Sequence, residues 1–461
     1  MTFTPQELVE RALQVSKSDG CVVVLSTSTS ANLRWANNTL TTNGVIHGAS
    51  ATVIATSDGS TGTAAGVITG SAGSHQQITA LVEAADATAA AAGPAEDAAP
   101  LADGRADSDW SEPPGNTTIS VFDRFAPALG EAFGRARDSG RVLYGYVEHD
   151  VTTTYLGSST GLRLRHEQPS GHVGITGKSD DLTRSAWVGQ ATRDFTDVDA
   201  LALDTELARR LAWASRTVDL PAGRYETLLP PTSVADLLIY LYWTGSARDA
   251  FEGQSVFSHP GGGTRVGESL SAKDVRLWSD PAMPGLECSP FVVATQSTAE
   301  TSVFDNGLPV TTTDWVREGR LASLLQTRHS ADLTSLPHTP PVDNLALSVQ
   351  GGRGSVDDLV ATTERGLLLT SLWYIRAVDP QTLLLTGLTR DGVYLVEDGE
   401  VTRAVNNFRF NESPVDLLDR FSEAGTSMPA ISREWGDYFP RTAMPALRVP
   451  DFNMSSVSKA S

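Results

Sequence analysis

PPTSVADLLIYLYWTGSARDAFEGQSVF, residues 230–257, decides how the rest of the chain divides. Its double proline closes a stretch from Pro221 that reads as a domain boundary, since proline continues neither a helix interior nor a central strand. Ser233 to Thr244 then reads as a single apolar helix opening the last unit, which begins near Tyr225. Beyond it the sequence is mostly strands and turns, among them Asp274 to Ser279, Ser302 to Phe304, Leu345 to Val349, Thr382 to Thr389 and Gly392 to Glu397. Only Val356 to Arg365 and Pro414 to Ala424 read as further helices there. Helices and strands are mixed without strict alternation, which predicts an α+β fold.

Toward the N-terminus the signals are of the same kind. Thr4 can cap a helix, Pro5 suits its first position, and Glu7 completes a capping box. Leu8, Ala12 and Val15 give that helix an apolar stripe, and Gly20 ends it. Strand-like segments follow at Cys21 to Ser26, Asn32 to Ala36 and Ala49 to Ala55, then an Ala-rich helix from Ile78 to Ala92. A Pro/Ala/Asp/Gly stretch comes next and reads as a linker or mobile loop. A helix at Val121 to Asp138, strands from Arg141 to Gly177 and a helix at Val198 to Ser215 make a further unit. The expected plan is an N-terminal α+β domain over residues 1–92, a linker or loop at 93–116, and a middle α+β domain at 117–224. A strand-rich domain over 225–461 completes it, so N-terminal α/β units precede a strand-rich C-terminal part.

Composition narrows the function classes. The formal net charge is −20 and the sequence pI about 4.8. That field repels phosphate backbones and anionic lipid, so neither nucleic acid nor a membrane surface is expected as a partner. Cys21 and Cys288, far apart in apolar contexts, exclude a disulfide framework and a cysteine metal knuckle and read as buried small hydrophobes. The opening MTFTPQELVERALQ has no basic n-region and no apolar h-region, and no apolar run reaches the ~20 residues of a bilayer span. A cytoplasmic protein is expected, and the acidic balance suits ordinary bacterial cytoplasmic solubility.

Chemistry-bearing patterns are sparse. His166-Glu167-Gln168-Pro169-Ser170-Gly171-His172 superficially resembles a zincin motif, whose histidines must stand one helical turn apart. Here they are six apart, and Pro169 with Gly171 forbids a regular helix. The segment reads as two strands joined by a Q-P-S-G turn, a hairpin across which two histidines could share a metal, with no third ligand evident. Gly351-Gly352-Arg353-Gly354-Ser355 precedes a helix as a phosphate cradle would, but Ser355 reads equally as a plain N-cap. Asp357-Asp358 falls in a first helical turn, where carboxylates suit the macrodipole. Asp199 and Asp204 are the other acid/base candidates. No G-x-S-x-G elbow, Walker loop or CxxC occurs, and the residues by themselves identify no catalytic centre.

Several segments, in order, resemble the TldD/PmbA family, also called modulator of DNA gyrase. Leu33-Arg34-Trp35-Ala36-Asn37-Asn38 is similar to its R-F-A-N-N strand and turn, followed by Gly48 to Ala55 and Gly62 to Ala65. Asp280-Pro281 through Pro284-Gly285 resembles D-P-x-x-P-G. Phe304-Asp305-Asn306-Gly307-Leu308-Pro309 resembles F-D-x-E-G-x-P, with Asn306 in place of the usual acid. Leu321 to Ala331, Ser355 to Gly366, Glu397 to Val401 and Phe408 to Pro414 continue the match, which spans nearly the whole chain.

Active members of that family carry H-E-x-x-x-H on a helix, with a further ligand near the C-terminus. Two histidines hold zinc, and the glutamate activates water. A G-x-S-V-F segment follows that helix, and Gly253-Gln254-Ser255-Val256-Phe257 matches it. Counting back places Leu238, Ile239 and Trp243 where His, Glu and His stand in active members. The stretch 233–250 holds no histidine or glutamate, and the sequence after Ser427 has neither cysteine nor histidine. The resemblance therefore implies the metal-less TldE/PmbA branch, with no catalytic or metal-binding residue and no cofactor in this chain. Its implied partner is a homologous H-E-x-x-x-H subunit carrying zinc, the two forming a heterodimer that encloses a chamber where peptides are cut. Two other readings stay open: a stand-alone hydrolase with a relocated metal site at His166 and His172, and a non-enzymatic binding or assembly protein on the same scaffold.

Overall fold

The computed structural model describes residues 3–458, so residues 1–2 and 459–461 at the ends of the expected first and last domains lie outside the description. Helix α1 (Pro5–Val15) starts with the capping box read from the sequence. The Thr4 hydroxyl accepts from the Glu7 amide, and the Glu7 carboxylate accepts from the Thr4 amide at 2.7 Å. Strands β1 (Gly20–Ala36), β2 (Thr39–Gly59) and β3 (Gly62–Ser71) follow, then α2 (His75–Ala91). Helix α3 (Phe125–Asp138), strands β4 (Arg141–Ser158), β5 (Arg163–Ser179) and β6 (Ser185–Thr192), and helix α4 (Ala200–Trp213) complete this half.

These six strands make one antiparallel sheet in the order β3-β2-β1-β4-β5-β6. Its centre is the β1–β4 pairing, from Val22↔Ser158 to Trp35↔Gly145. One sheet thus spans both stretches that the sequence reading set on either side of residues 93–116. The strands are also longer than expected. Cys21 to Ser26 and Asn32 to Ala36 are two ends of β1, because the Ser/Thr run between them is itself a good strand former. Asn37 and Asn38, with φ of 50° and 58°, make the two-residue turn into β2 that the hairpin twist favours.

Segment 93–116 is tied down along its length. The Ala95 amide donates to the Thr63 carbonyl, Ala106 bridges to Arg163, and Gly115 donates to the Thr153 hydroxyl. Trp110 stands edge-on to the Tyr155 ring at 5.6 Å. Asp97 accepts from Ser297 and Ser302, and the Pro100 carbonyl accepts from Arg328, so the segment also straps the sheet to the C-terminal half. Its proline-rich composition builds no regular element, yet its backbone polar groups find partners all the same.

Odd-numbered residues of β1 face the four helices. Cys21, Val23 and Leu25 pack with α1 and α2, and Ala31, Leu33 and Trp35 with α3 and α4. On the opposite face Val22 and Val24 meet Phe291, Val303 and Phe304 of the C-terminal half, while Ser26, Ser30 and Asn32 leave the remainder polar.

The C-terminal half holds two sheets, of six and ten strands. The six-stranded one centres on Val275–Ser279 and Leu345–Val349, the other on Leu447–Val457, Gly223–Leu229 and Arg365–Leu369. Helix α5 (Pro231–Trp243) lies in one core with Leu277 and Leu347 of the first sheet and Leu369, Phe410 and Val449 of the second. The α+β class and strand-rich C-terminal half agree with the sequence reading. Helix α5 corresponds to the expected helix Ser233 to Thr244, and the stretch 233–250 is not one continuous helix: α5 ends at Trp243, and Ser246 caps a short α6 (Ala247–Phe251) after Gly245. No helix among the described residues is long and apolar enough to cross a membrane.

Candidate functional site

Pro231 opens α5 in its first turn, where its missing N–H is harmless, and the apolar run to Trp243 then buries the helix on nearly every side. Leu238 and Ile239, expected from the resemblance at the places of the first histidine and the glutamate, are fully buried in the shared core. Trp243, expected at the place of the second histidine, is 37 % exposed at the helix end. Its ring meets Trp435 at 5.3 Å and Phe439 at 6.1 Å, both edge-on. Leucine and isoleucine present no lone pair, and the indole N–H only donates. These three residues do not fit a zinc ion.

One acid does stand on α5, and the sequence reading passed over it. Asp236 is fully buried. Its Oδ1 accepts from the Ser432 hydroxyl at 2.5 Å and the Glu434 amide at 3.1 Å, and its carbonyl accepts from the Trp435 indole at 2.9 Å. Its Oδ2 has no hydrogen-bond partner among the described residues. Burial pushes the Asp236 carboxyl up to about 7, against the opposing pull of those hydrogen bonds. A lone aspartate inside an otherwise apolar helix was the available signal. Asp236 pins the segment that carries Trp435 and Phe439 onto α5.

A cleft of about 600 Å³ opens at this end of the helix, lined among others by Trp243, Phe291, Val293, Glu300, Tyr438 and Phe439. Tyr242 lies beneath it, its hydroxyl donating to the Val342 carbonyl and accepting from the Val342 amide, both at 2.8 Å.

His166 and His172 do not face each other across a hairpin. Both lie on the continuous strand β5, where Pro169 pairs with Val151 of β4 just past the last β6 pair, Gly171↔Thr192. On that side no neighbouring strand needs the N–H that proline lacks, so the expected turn does not form. Six strand residues separate the two rings' backbones by roughly 20 Å, too far to share a metal. His166 bonds Gln168 at 3.0 Å, and its burial holds the imidazole below its ordinary range. His172 lies 3.5 Å from Asp437 and shares a sheet face with Tyr146, Glu148 and Asp150. Burial raises the Asp150 carboxyl, helped by the Glu148 charge and opposed by Ser30. Among the described residues no three His, Cys, Asp or Glu side chains gather as ligands would.

The other acidic candidates have structural work. Asp199 caps α4 through the Leu201 and Ala202 amides, and Asp204 pairs with Arg141 at 2.6 Å. Ser355 and Asp358 form a capping box, while Asp357 meets Arg209 at 3.1 Å. Asp305 holds Arg328, and Asn306 closes its loop onto both backbone polar groups of Ala294.

Comparison with known proteins places this geometry. Residues 222–456 match the profile of the PmbA/TldA metallopeptidase C-terminal domain. TldE from Thermococcus kodakarensis superposes with a TM-score of 0.77 at 16 % identity, over 97 % of this chain and 99 % of that one. A candidate modulator of a DNA gyrase from Thermotoga maritima gives 0.77 at 17 % identity, over 98 % and 100 %. One from Bacteroides thetaiotaomicron gives 0.76 at 14 %, over 98 % of each chain. No curated protein matches the chain by sequence.

Proposed function

This chain belongs to the PmbA/TldD metallopeptidase family, and from that premise we propose that it is a non-catalytic subunit of a TldD/TldE-type zinc peptidase. A homologous subunit with an intact H-E-x-x-x-H supplies the zinc and the water-activating base; this chain helps to enclose the chamber in which peptides or unfolded segments are cleaved. The observation that carries the reading is α5 itself. At the expected positions of the metal motif it presents two fully buried aliphatic side chains and a tryptophan set edge-on to aromatic rings. The helix serves as a packing element in the core shared by the two sheets. The similarity to TldE is a likeness of fold at low identity.

Within such a chamber this chain contributes walls rather than proton transfers. The polar face of the N-terminal sheet and the aromatic end of α5 offer surfaces for an extended chain, which hydrogen-bonds through its backbone and so tolerates many sequences. Co-expression with the nearest H-E-x-x-x-H homologue tests the proposal. The expected result is a stable co-purifying pair that contains zinc and cleaves unfolded peptides, with neither property in this chain alone. Failure of the two chains to associate, with both folded, overturns it.

A further inference from the structure

The cleft beside Trp243 joins two features. Its walls are aromatic and aliphatic, and a carboxylate sits in it without a counter-charge. Glu300 accepts one hydrogen bond from the Thr298 hydroxyl at 2.9 Å and has no cationic partner among the described residues. The other acid lining the cleft, Asp343, is already paired with Arg441. Trp243, Val293 and Tyr438 remain 37 %, 38 % and 76 % exposed.

From this we propose that the cleft binds a cationic side chain, arginine or lysine, of an extended peptide together with an adjacent apolar residue. A guanidinium or ammonium group lies favourably over a tryptophan or tyrosine face within about 6 Å, and more so where water is excluded. Entry of a cation into apolar surroundings requires a compensating anion, which Glu300 provides. A volume of about 600 Å³ falls within the ~300–1,000 Å³ range of pockets that hold small ligands, enough for one long side chain and its neighbour. The net charge of −20 favours the approach of basic segments. The inference rests on the peptide-chamber reading, since it names the class of chain that would lie there.

The test is calorimetric titration of the full chain with two short peptides, acetyl-Phe-Arg-Leu-amide and its citrulline counterpart, which keeps the shape but loses the charge. The arginine peptide is expected to bind at least tenfold more tightly, and E300Q to abolish that preference while leaving the weaker citrulline binding in place. W243A is expected to weaken both peptides. Equal affinities for the two peptides, a preference that survives in E300Q, or no binding of either to the folded chain would each overturn the proposal. Repeating the titration on the co-purified pair separates the two claims. A chain that binds the arginine peptide through Glu300 but forms no pair loses the subunit reading and keeps this site; a pair that forms and cleaves but shows no arginine preference loses only the site.

Discussion

Helix α5 and strand β5 are the two places where the sequence raised the question of a metal, and the structure treats them in opposite ways. On α5 two of the three positions that the resemblance assigns to the metal motif are sealed in a core shared by two sheets, and the third, Trp243, is partly exposed. On β5 the histidines persist, but a continuous strand holds them about 20 Å apart, each engaged with its own neighbour. One region stands where the resemblance puts the metal motif but lacks its chemistry, and the other has side chains of the right type without the geometry. Ligand identity and ligand spacing are separate requirements, and neither region meets both.

The sharpest way to break this comparison is to restore the chemistry to α5. Leu238→His with Ile239→Glu buries polar groups where no partner waits, and destabilisation of about 3–5 kcal/mol or outright unfolding is expected in urea titration. A folded variant that binds zinc would show that the site is merely dormant. Next in size is Asp204→Ala, which strands the Arg141 guanidinium at a pair whose side chains are 10 % and 4 % exposed. A loss of about 3 kcal/mol is expected in thermal or chemical unfolding.

Asp236→Asn sharpens the comparison through pH. The folded-state pKa of Asp236 is raised to about 7 by burial, so the folded chain retains a proton that the unfolded chain has released. Its contribution to stability is therefore greatest below the ordinary carboxylate range and is lost as pH rises toward about 7. The asparagine variant should show a flatter stability profile between about pH 4 and 7, with little change outside that window. An unchanged slope would mean that Asp236 is ionised throughout. The smallest effect is expected on β5. His172→Ala removes a contact to an Asp437 side chain that is 81 % exposed, and should shift stability by less than about 1 kcal/mol.

What was legible in the sequence follows from the range of the interactions involved. The capping box at Thr4 and Glu7 and the Asn37-Asn38 turn are local, and short-range signals place them well, while the helix read from Ser233 opens two residues earlier, at Pro231. The single N-terminal sheet was not legible, because its two halves join through β1 and β4, whose pairing spans more than a hundred residues. Pro169 and Gly171 read as a turn because no sequence rule says that β6 stops short at that position. Asp236 was overlooked in a search for histidine and glutamate, although its isolation among apolar residues marked it. The cleft joins Trp243, the segment carrying Phe291 and Glu300, and Tyr438, three stretches far apart in sequence that only the fold brings together.

The most direct test of the central claim is the zinc content of this chain, purified alone after exposure to excess zinc and extensive dialysis, measured per mole by elemental mass spectrometry alongside peptidase activity. Well under one-tenth of an equivalent of zinc and no cleavage are expected, since Leu238, Ile239 and Trp243 offer no ligand. One tightly held equivalent with peptide hydrolysis by the chain alone would contradict it, and loss of that zinc on changing His166 would place the site on β5 instead.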